Sequence, residues 1–300
     1  MNVTPDPRNQ DILVYVNGQI VPRAEARVSV FDSVVQGGDA VWEGLRVYKG
    51  RIAALGGHLQ RLQNSAKTLA FADVPSSDEI RKAIFSTLEA NGMKDETHIR
   101  LTLTRGEKIT SGMNPRLNQA GCSLIVLAEW KPPVYSDDGI RVVTSAIRRN
   151  APQFLDSKIH HNNLLNNILA AIDANVAGAD SAIMLDIHGF VSETNDTNLF
   201  IVRNGELLTP FADACLPGLT RQMILDIAQV ESIPAKEKNI SLTELYTSEE
   251  VFTTGTMGEL TPVLEADGRT IGEGRPGSMT RRLQELHRAH AYENGEKLPF

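Results

Sequence analysis

Lys158 stands at the head of LDSKIHHNNLLNNILAAIDANVAGADSAIMLD, residues 155–186, a stretch otherwise poor in cations and partly apolar. Alone, a lysine there reads as an ordinary surface residue. Its amine can also condense with a carbonyl and work as an acid or base, so its company matters. Glu193, in GFVSETNDTNLF, supplies an acid within a hydroxyl-rich run. LPGLTR, residues 216–221, is a Pro-Gly turn feeding a helix pattern, which aims the N–H groups of Leu219 and Thr220 outward as an anion site. TTGTMGE, residues 253–259, is a second such turn and adds the Thr256 hydroxyl. Either turn alone is more often a plain connection. Arg61, in HLQRL, can offer a bidentate charge to a phosphate, although an arginine on an amphipathic helix is ordinarily just solvated.

Together these groups meet the requirements of a pyridoxal-phosphate site: an amine for the aldehyde, turns and an arginine for the phosphate, and an acid to keep the pyridine nitrogen protonated. Other machinery is missing. The chain has no GxSxG, Walker loop or HExxH, and Gly37-Gly38-Asp39 is not a nucleotide fingerprint. His160 and His161 are adjacent, and adjacent residues on a strand point to opposite faces, so no metal site is expected.

Composition narrows the classes further. The chain has 300 residues, 41% hydrophobic and 22% charged, enough for one large domain or two ordinary ones. With a formal net charge of -7 and scattered Lys and Arg, neither nucleic acid nor an anionic membrane is an expected partner. Cys122 and Cys215 lie far apart with no CxxC, and no apolar leader or span-length run is present, so a cytoplasmic location is expected.

The elements that must position these residues follow from pattern. ILVYVNGQIV predicts a hairpin around Asn17-Gly18, and VWEGLRVYKGRIAAL a strand pair turning near Lys49-Gly50. Leu59, Leu62, Ala66 and Leu69 have helical spacing, and Pro75 to Glu79 cap a second helix ended by Asn91-Gly92. HIRLTLTRG and CSLIVLAEW read as strands. The Pro, Asp and Gly of KPPVYSDDG, residues 131–139, then mark a linker between domains at 1–130 and 140–300. Beyond it come a strand, a helix ended by Gly178, three short strands through residue 209, two helices, LTRQMILDIAQV and TRRLQELHRAHAY, and a strand-turn segment over 250–272. Two mixed α+β domains are expected, without βαβ alternation across the chain.

Over roughly residues 12–285 the chain resembles the class IV, or fold type IV, pyridoxal-phosphate aminotransferases. These include branched-chain and D-amino-acid aminotransferases and aminodeoxychorismate lyases. YVNGQIVPRAEARVSVFDSVVQGGDAVWEGLRVYKGRI, HLQRL, GFVSET followed by TNLF, LPGLTR and GTMGELTPV carry the resemblance in order. It implies a two-domain α+β fold like that of D-amino-acid aminotransferase, with a small N-terminal α/β domain and a larger C-terminal one. It implies pyridoxal 5'-phosphate held by Lys158 as Schiff-base lysine, Glu193 at the pyridine nitrogen, and Arg61, Leu219, Thr220 and Thr256 around the phosphate. Asn198 and Arg149 join the cofactor contacts, while Gln36, Trp42, His98, Arg100 and Met257 line the substrate side. The expected partners are an amino donor, a 2-oxo acid acceptor and further copies of the chain in a homodimer or higher homo-oligomer.

Departures qualify the substrate. Gln36 stands where branched-chain enzymes carry a tyrosine, and Asn163 or Leu164 where they carry a second, so Arg149 is expected at the cofactor's phenolic oxygen instead. Gln36 and His98 make the pocket more polar than an aliphatic slot, Trp42 forms its wall, and Arg100 can meet a carboxylate. Trp130 and Tyr135 border the entrance or pack the domains together. The leading reading is ping-pong transamination of a branched-chain-like L-amino acid. D-amino-acid or (R)-amine transamination, a pyruvate-eliminating lyase, and a cofactor-binding protein with a decayed site are the alternatives.

Overall fold

The computed structural model describes residues 6–300. The chain divides into two units, one formed by Met1–Pro132, Ile159–Asn163 and Ala291–Phe300, the other by Pro133–Lys158 and Leu164–His290. The expected C-terminal domain is thus interrupted, because two short segments of it return to the first unit.

The first unit is built on a sheet ordered Glu296–Lys297, Arg51–Ile52, Ala40–Tyr48, Thr97–Thr104, Ser123–Trp130, Leu13–Val16 and Gln19–Pro22. Its hairpin turns on Asn17 and Gly18, both at positive φ, as a two-residue turn that follows the strand twist requires. Alternation puts Val41, Leu45, Val47, Ile99, Leu101 and Leu103 on one face. The helices Leu55–Thr68 and Ser77–Asn91 add Leu59, Leu62, Ile80, Ile84 and Leu88 to the same core. A capping box between Ser76 and Glu79 starts the second helix, and left-handed Gly92 ends it. The opposite face of the sheet carries Trp42, Gly44 and Arg46, paired in register with Thr102, Arg100 and His98.

The second unit has a mixed sheet ordered Ala235–Glu237, Glu206–Thr209, Asn198–Arg203, Glu250–Gly255, Glu259–Ala266, Ile140–Thr144, Ser181–Leu185 and Val191–Thr194, with Arg269–Thr270 beside Glu259–Ala266. Two βαβ connections occur locally. The helix Leu165–Ala177 joins the parallel strands Ile140–Thr144 and Ser181–Leu185, and Leu219–Val230 joins Glu206–Thr209 to Ala235–Glu237. One face buries Leu199, Ile201, Val251 and Val263. The other buries Phe200, Phe252 and Leu260 against Ile224, Ala228 and Leu283 of two helices, with the two phenylalanine rings stacked 5.2 Å apart. Where three strands were expected over 181–209, there are four. The difference is a turn at residues 195–197, closed by Thr194 N–H to Thr197 O at 2.8 Å, whose short polar residues bond to their own backbone. Among the described residues no helix is long and apolar enough to cross a membrane.

Candidate active site

In the second unit, Lys158, Glu193 and Asn198 converge on the segment Asp213–Leu216. Lys158 is exposed and its Nζ donates to Asp213 O at 3.3 Å. Ser192, next to Glu193, donates its hydroxyl to Ala214 O at 3.0 Å. Asn198 Nδ2 bonds both Leu216 O at 2.9 Å and Glu193 Oε2 at 3.2 Å. No carboxylate pairs with Lys158 among the described residues, so its amine is reachable and carries no counter-charge.

Glu193 is buried, and Arg149 Nε lies 2.5 Å from its Oε1. Burial pushes the Glu193 carboxyl up, against the pull of Arg149. Arg149 also donates to Asn166 Oδ1 at 2.9 Å, so its guanidinium bridges Glu193 and the helix Leu165–Ala177.

The LPGLTR segment forms the start of the helix Leu219–Val230. Gly218 at its N-cap brings no side chain, so among the described residues the N–H groups of Leu219 and Thr220 lack a side-chain capping acceptor. Gly218 is also forced by space, because a Cβ there would lie 2.0 Å from Asn198 Oδ1. Thr254, across from Asn198 in the sheet, buries its hydroxyl without a partner among the described residues. The following turn presents Thr256 and Met257, both half-buried. An exposed amine, a buried acid, uncapped helix N–H groups and an orphaned hydroxyl fit an aldehyde-bearing heteroaromatic phosphate.

The first unit holds the remaining expected residues in two groups on opposite sheet faces. On the core face, Glu43 is fully buried. Arg61 bonds it through Nε at 2.8 Å and a terminal nitrogen at 2.7 Å, and His58 Nδ1 lies 2.7 Å away. His160 Nδ1 is 3.1 Å from Glu43 Oε1, an ion-pair distance without hydrogen-bond alignment. Burial pushes the Glu43 carboxyl up, but His160, Arg61 and His58 outweigh it and hold the group well below the usual carboxylate range. Burial pushes the His160 pKa down, against the pull of Glu43.

On the other face, the Arg100 guanidinium lies 3.4 Å over the Trp42 ring and donates to Asn162 Oδ1 at 2.7 Å. The Trp42 ring packs 4.2 Å from that of His160. His98 is buried with its Nε2 unpartnered among the described residues, and burial, followed by Lys131, Arg46 and Arg100, pushes its pKa down to about 3. A Cβ on Gly44 would sit 3.5 Å from Trp42 and 3.6 Å from His98, so glycine keeps that surface open. Gln36 stands apart: it is exposed, and its amide donates to Val30 O at 3.2 Å.

Sequence reasoning did not single out Glu43, His58 or Asn166, and weighed His160 only as a metal ligand. Two signals were available. Glu43 interrupts the apolar alternation of Val41, Leu45 and Val47, and His58 lies three residues before Arg61 on one helix face.

The fold is that of the class IV aminotransferases. The sequence profile of that family, amino-transferase class IV, matches residues 40–266, and the chain belongs to it. The family is pyridoxal-phosphate-dependent. The chain is 59% identical over 296 residues to "Branched-chain-amino-acid aminotransferase-like protein 2" of Arabidopsis thaliana, covering 98% of this chain and 53% of that protein. It therefore spans about half the length of that relative. It is 40% identical over 274 residues to "Putative branched-chain-amino-acid aminotransferase" of Methanocaldococcus jannaschii, covering 91% and 94% of the two chains. Among solved structures it resembles the branched-chain aminotransferase of the thermophilic archaeon Thermoproteus uzoniensis with norvaline. That match has a TM-score of 0.87 and 31% identity, over 94% of this chain and 95% of the other.

Proposed function

We propose that this chain is a pyridoxal-phosphate transaminase that moves an amino group between an α-amino acid, a branched-chain-like L-amino acid foremost, and a 2-oxo acid. The observation that carries the reading is the convergence of Lys158, Glu193 and Asn198 on Asp213–Leu216, beside an uncapped helix N-terminus. When bound, the cofactor supplies an electron sink conjugated to the substrate Cα. Lys158 anchors it and, once released, moves the proton at Cα. Glu193, held by Arg149 and Asn198, keeps a proton on the pyridine nitrogen. The N–H groups of Leu219 and Thr220, with Thr256 and Arg61, bind the phosphate. Arg61 comes to that task already oriented by Glu43. Arg100, Trp42, His98 and Met257 receive the substrate, and a 2-oxo acid takes the amino group in a second, reverse half-reaction. Gln36 belongs to the same substrate set by resemblance, with its amide turned to Val30 O in this structure.

The working assembly is a homodimer or larger homo-oligomer. The helix Leu165–Ala177 exposes Leu165, Ile168, Leu169, Ile172 and Val176 at helical spacing, a stripe that a second copy would cover. Its two free cysteines, Cys122 and Cys215, suit a cytoplasmic location. Visible absorbance of the cofactor-loaded protein, titrated with L-amino acids, D-amino acids and (R)-amines, tests the reading. Conversion by L-leucine is expected. Conversion only by D-amino acids or (R)-amines moves the protein to that alternative, and pyruvate released without an acceptor marks a lyase.

A further inference from the structure

Tyr135 lies in the segment whose composition marks a linker, yet it is only 8% exposed. Its hydroxyl donates to Asp196 Oδ2 at 2.7 Å. Asp196 is the centre of the turn at residues 195–197, which joins the strand that carries Glu193 to the strand that starts at Asn198. Around it, Thr194 Oγ1 lies 3.1 Å from Asp196 Oδ1 and accepts from Thr197 N at 2.9 Å. Both cofactor-side residues, Glu193 and Asn198, therefore hang from a turn whose middle is tied to Tyr135.

The same tyrosine also braces the second turn. A Cβ on Gly258 would approach the Tyr135 ring to 3.1 Å, and the neighbouring Val134 N–H donates to Met257 O at 2.9 Å. From the other side, a Cβ on Gly255 would come within 3.0 Å of Thr197 Cγ2. Residues 255–258 are thus wedged between Tyr135 and Thr197.

We propose that Tyr135 and Asp196 form a positioning strut that fixes the separation between the Glu193–Asn198 turn and the Thr256–Met257 turn. The strut rests on the functional reading above, in which one turn faces the pyridine ring and the other an anionic group. It acts through those residues and touches no reacting atom. A mere core contact would contribute stability with no bearing on how tightly the two turns grip a ligand.

The test compares Tyr135→Phe, Asp196→Asn, Asp196→Ala and the Tyr135→Phe/Asp196→Ala double variant with the unaltered chain. Apparent dissociation constants for pyridoxal 5'-phosphate, KM for the amino donor and the melting temperature of the cofactor-free form are read for each. Tyr135→Phe and Asp196→Ala are each expected to weaken cofactor binding about tenfold, the scale of one part-buried hydrogen bond to a carboxylate. The double variant is expected to be no worse than either single one. Asp196→Asn keeps an acceptor for the tyrosine and is expected to stay within about threefold, which also covers failure of Asp196→Ala to fold. Melting temperatures that drop while dissociation constants stay unchanged overturn the strut. So do losses that simply add in the double variant. An unaltered chain that binds no pyridoxal phosphate overturns the functional reading, and the strut with it.

Discussion

Glu43→Gln is the most exacting perturbation of the first unit. The carboxylate is fully buried and receives two bonds from Arg61 and one contact from His58, all between 2.7 and 2.8 Å. Glutamine keeps the shape and one acceptor but leaves the guanidinium without its counter-charge. Breaking a buried pair from one side costs about 3–5 kcal/mol, and the retained acceptor and the partial exposure of Arg61 bring the expected loss to roughly 2–3 kcal/mol. Both tryptophans, Trp42 and Trp130, lie in this unit, so urea unfolding followed by their fluorescence reports on it directly. The loss must also depend on pH. Because the folded Glu43 carboxyl titrates well below its ordinary 4.5, its contribution is complete above that value and is lost as pH falls through the folded one. The difference between the two proteins should therefore be largest near neutrality and shrink progressively in acid. A variant within about 0.5 kcal/mol of the unaltered chain at neutral pH, or a gap that widens in acid, refutes the argument.

Three further outcomes are expected. Lys158→Ala should leave stability within about 0.5 kcal/mol, since the side chain is exposed, while cofactor no longer survives dialysis; absorbance after dialysis and a urea titration check both halves. Gly218→Ala drives a Cβ to 2.0 Å from Asn198 Oδ1, so Asn198 must leave Glu193 or Leu216 O, with an overpacking cost of about 1–3 kcal/mol and weaker cofactor binding. Ile168→Glu places a charge within the exposed helix stripe, and size-exclusion chromatography should show a smaller species than the unaltered chain; an unchanged elution removes this helix from the interface.

Local chemistry was readable where neighbours in sequence decide it. The Asn17-Gly18 hairpin, the Ser76 capping box and the Gly178 helix end sit where their residue types place them. What was not readable depended on distant segments. The return of residues 159–163 and 291–300 to the first unit leaves no local pattern, and the Arg149 and Glu193 pairing joins residues 44 positions apart. The Pro and Asp of residues 131–139 signalled a break in the strand pattern but could not show that Tyr135 is buried against a turn more than 120 residues downstream. For the chemical site, order and spacing pointed to an amine, an acid and two anion-binding turns. The buried carboxylate behind Arg61 emerged only when the helix was laid on its strand.

The strand Arg51–Ile52, next to the edge of its sheet, has a bearing on how the protein is made. Its outer partner is Glu296–Lys297, and Arg51 also reaches Gly295 O at 2.9 Å, 244 residues away. During synthesis the ribosome must add the whole second unit before that edge can be covered, and Leu298 of the first core arrives just as late. Until then the nascent chain presents unpaired backbone groups at one side of a largely assembled sheet, an invitation to strand addition from neighbouring chains. The yield of native protein should accordingly be sensitive to translation speed and chaperone supply over the later part of the message, even though the residues that complete the edge are few.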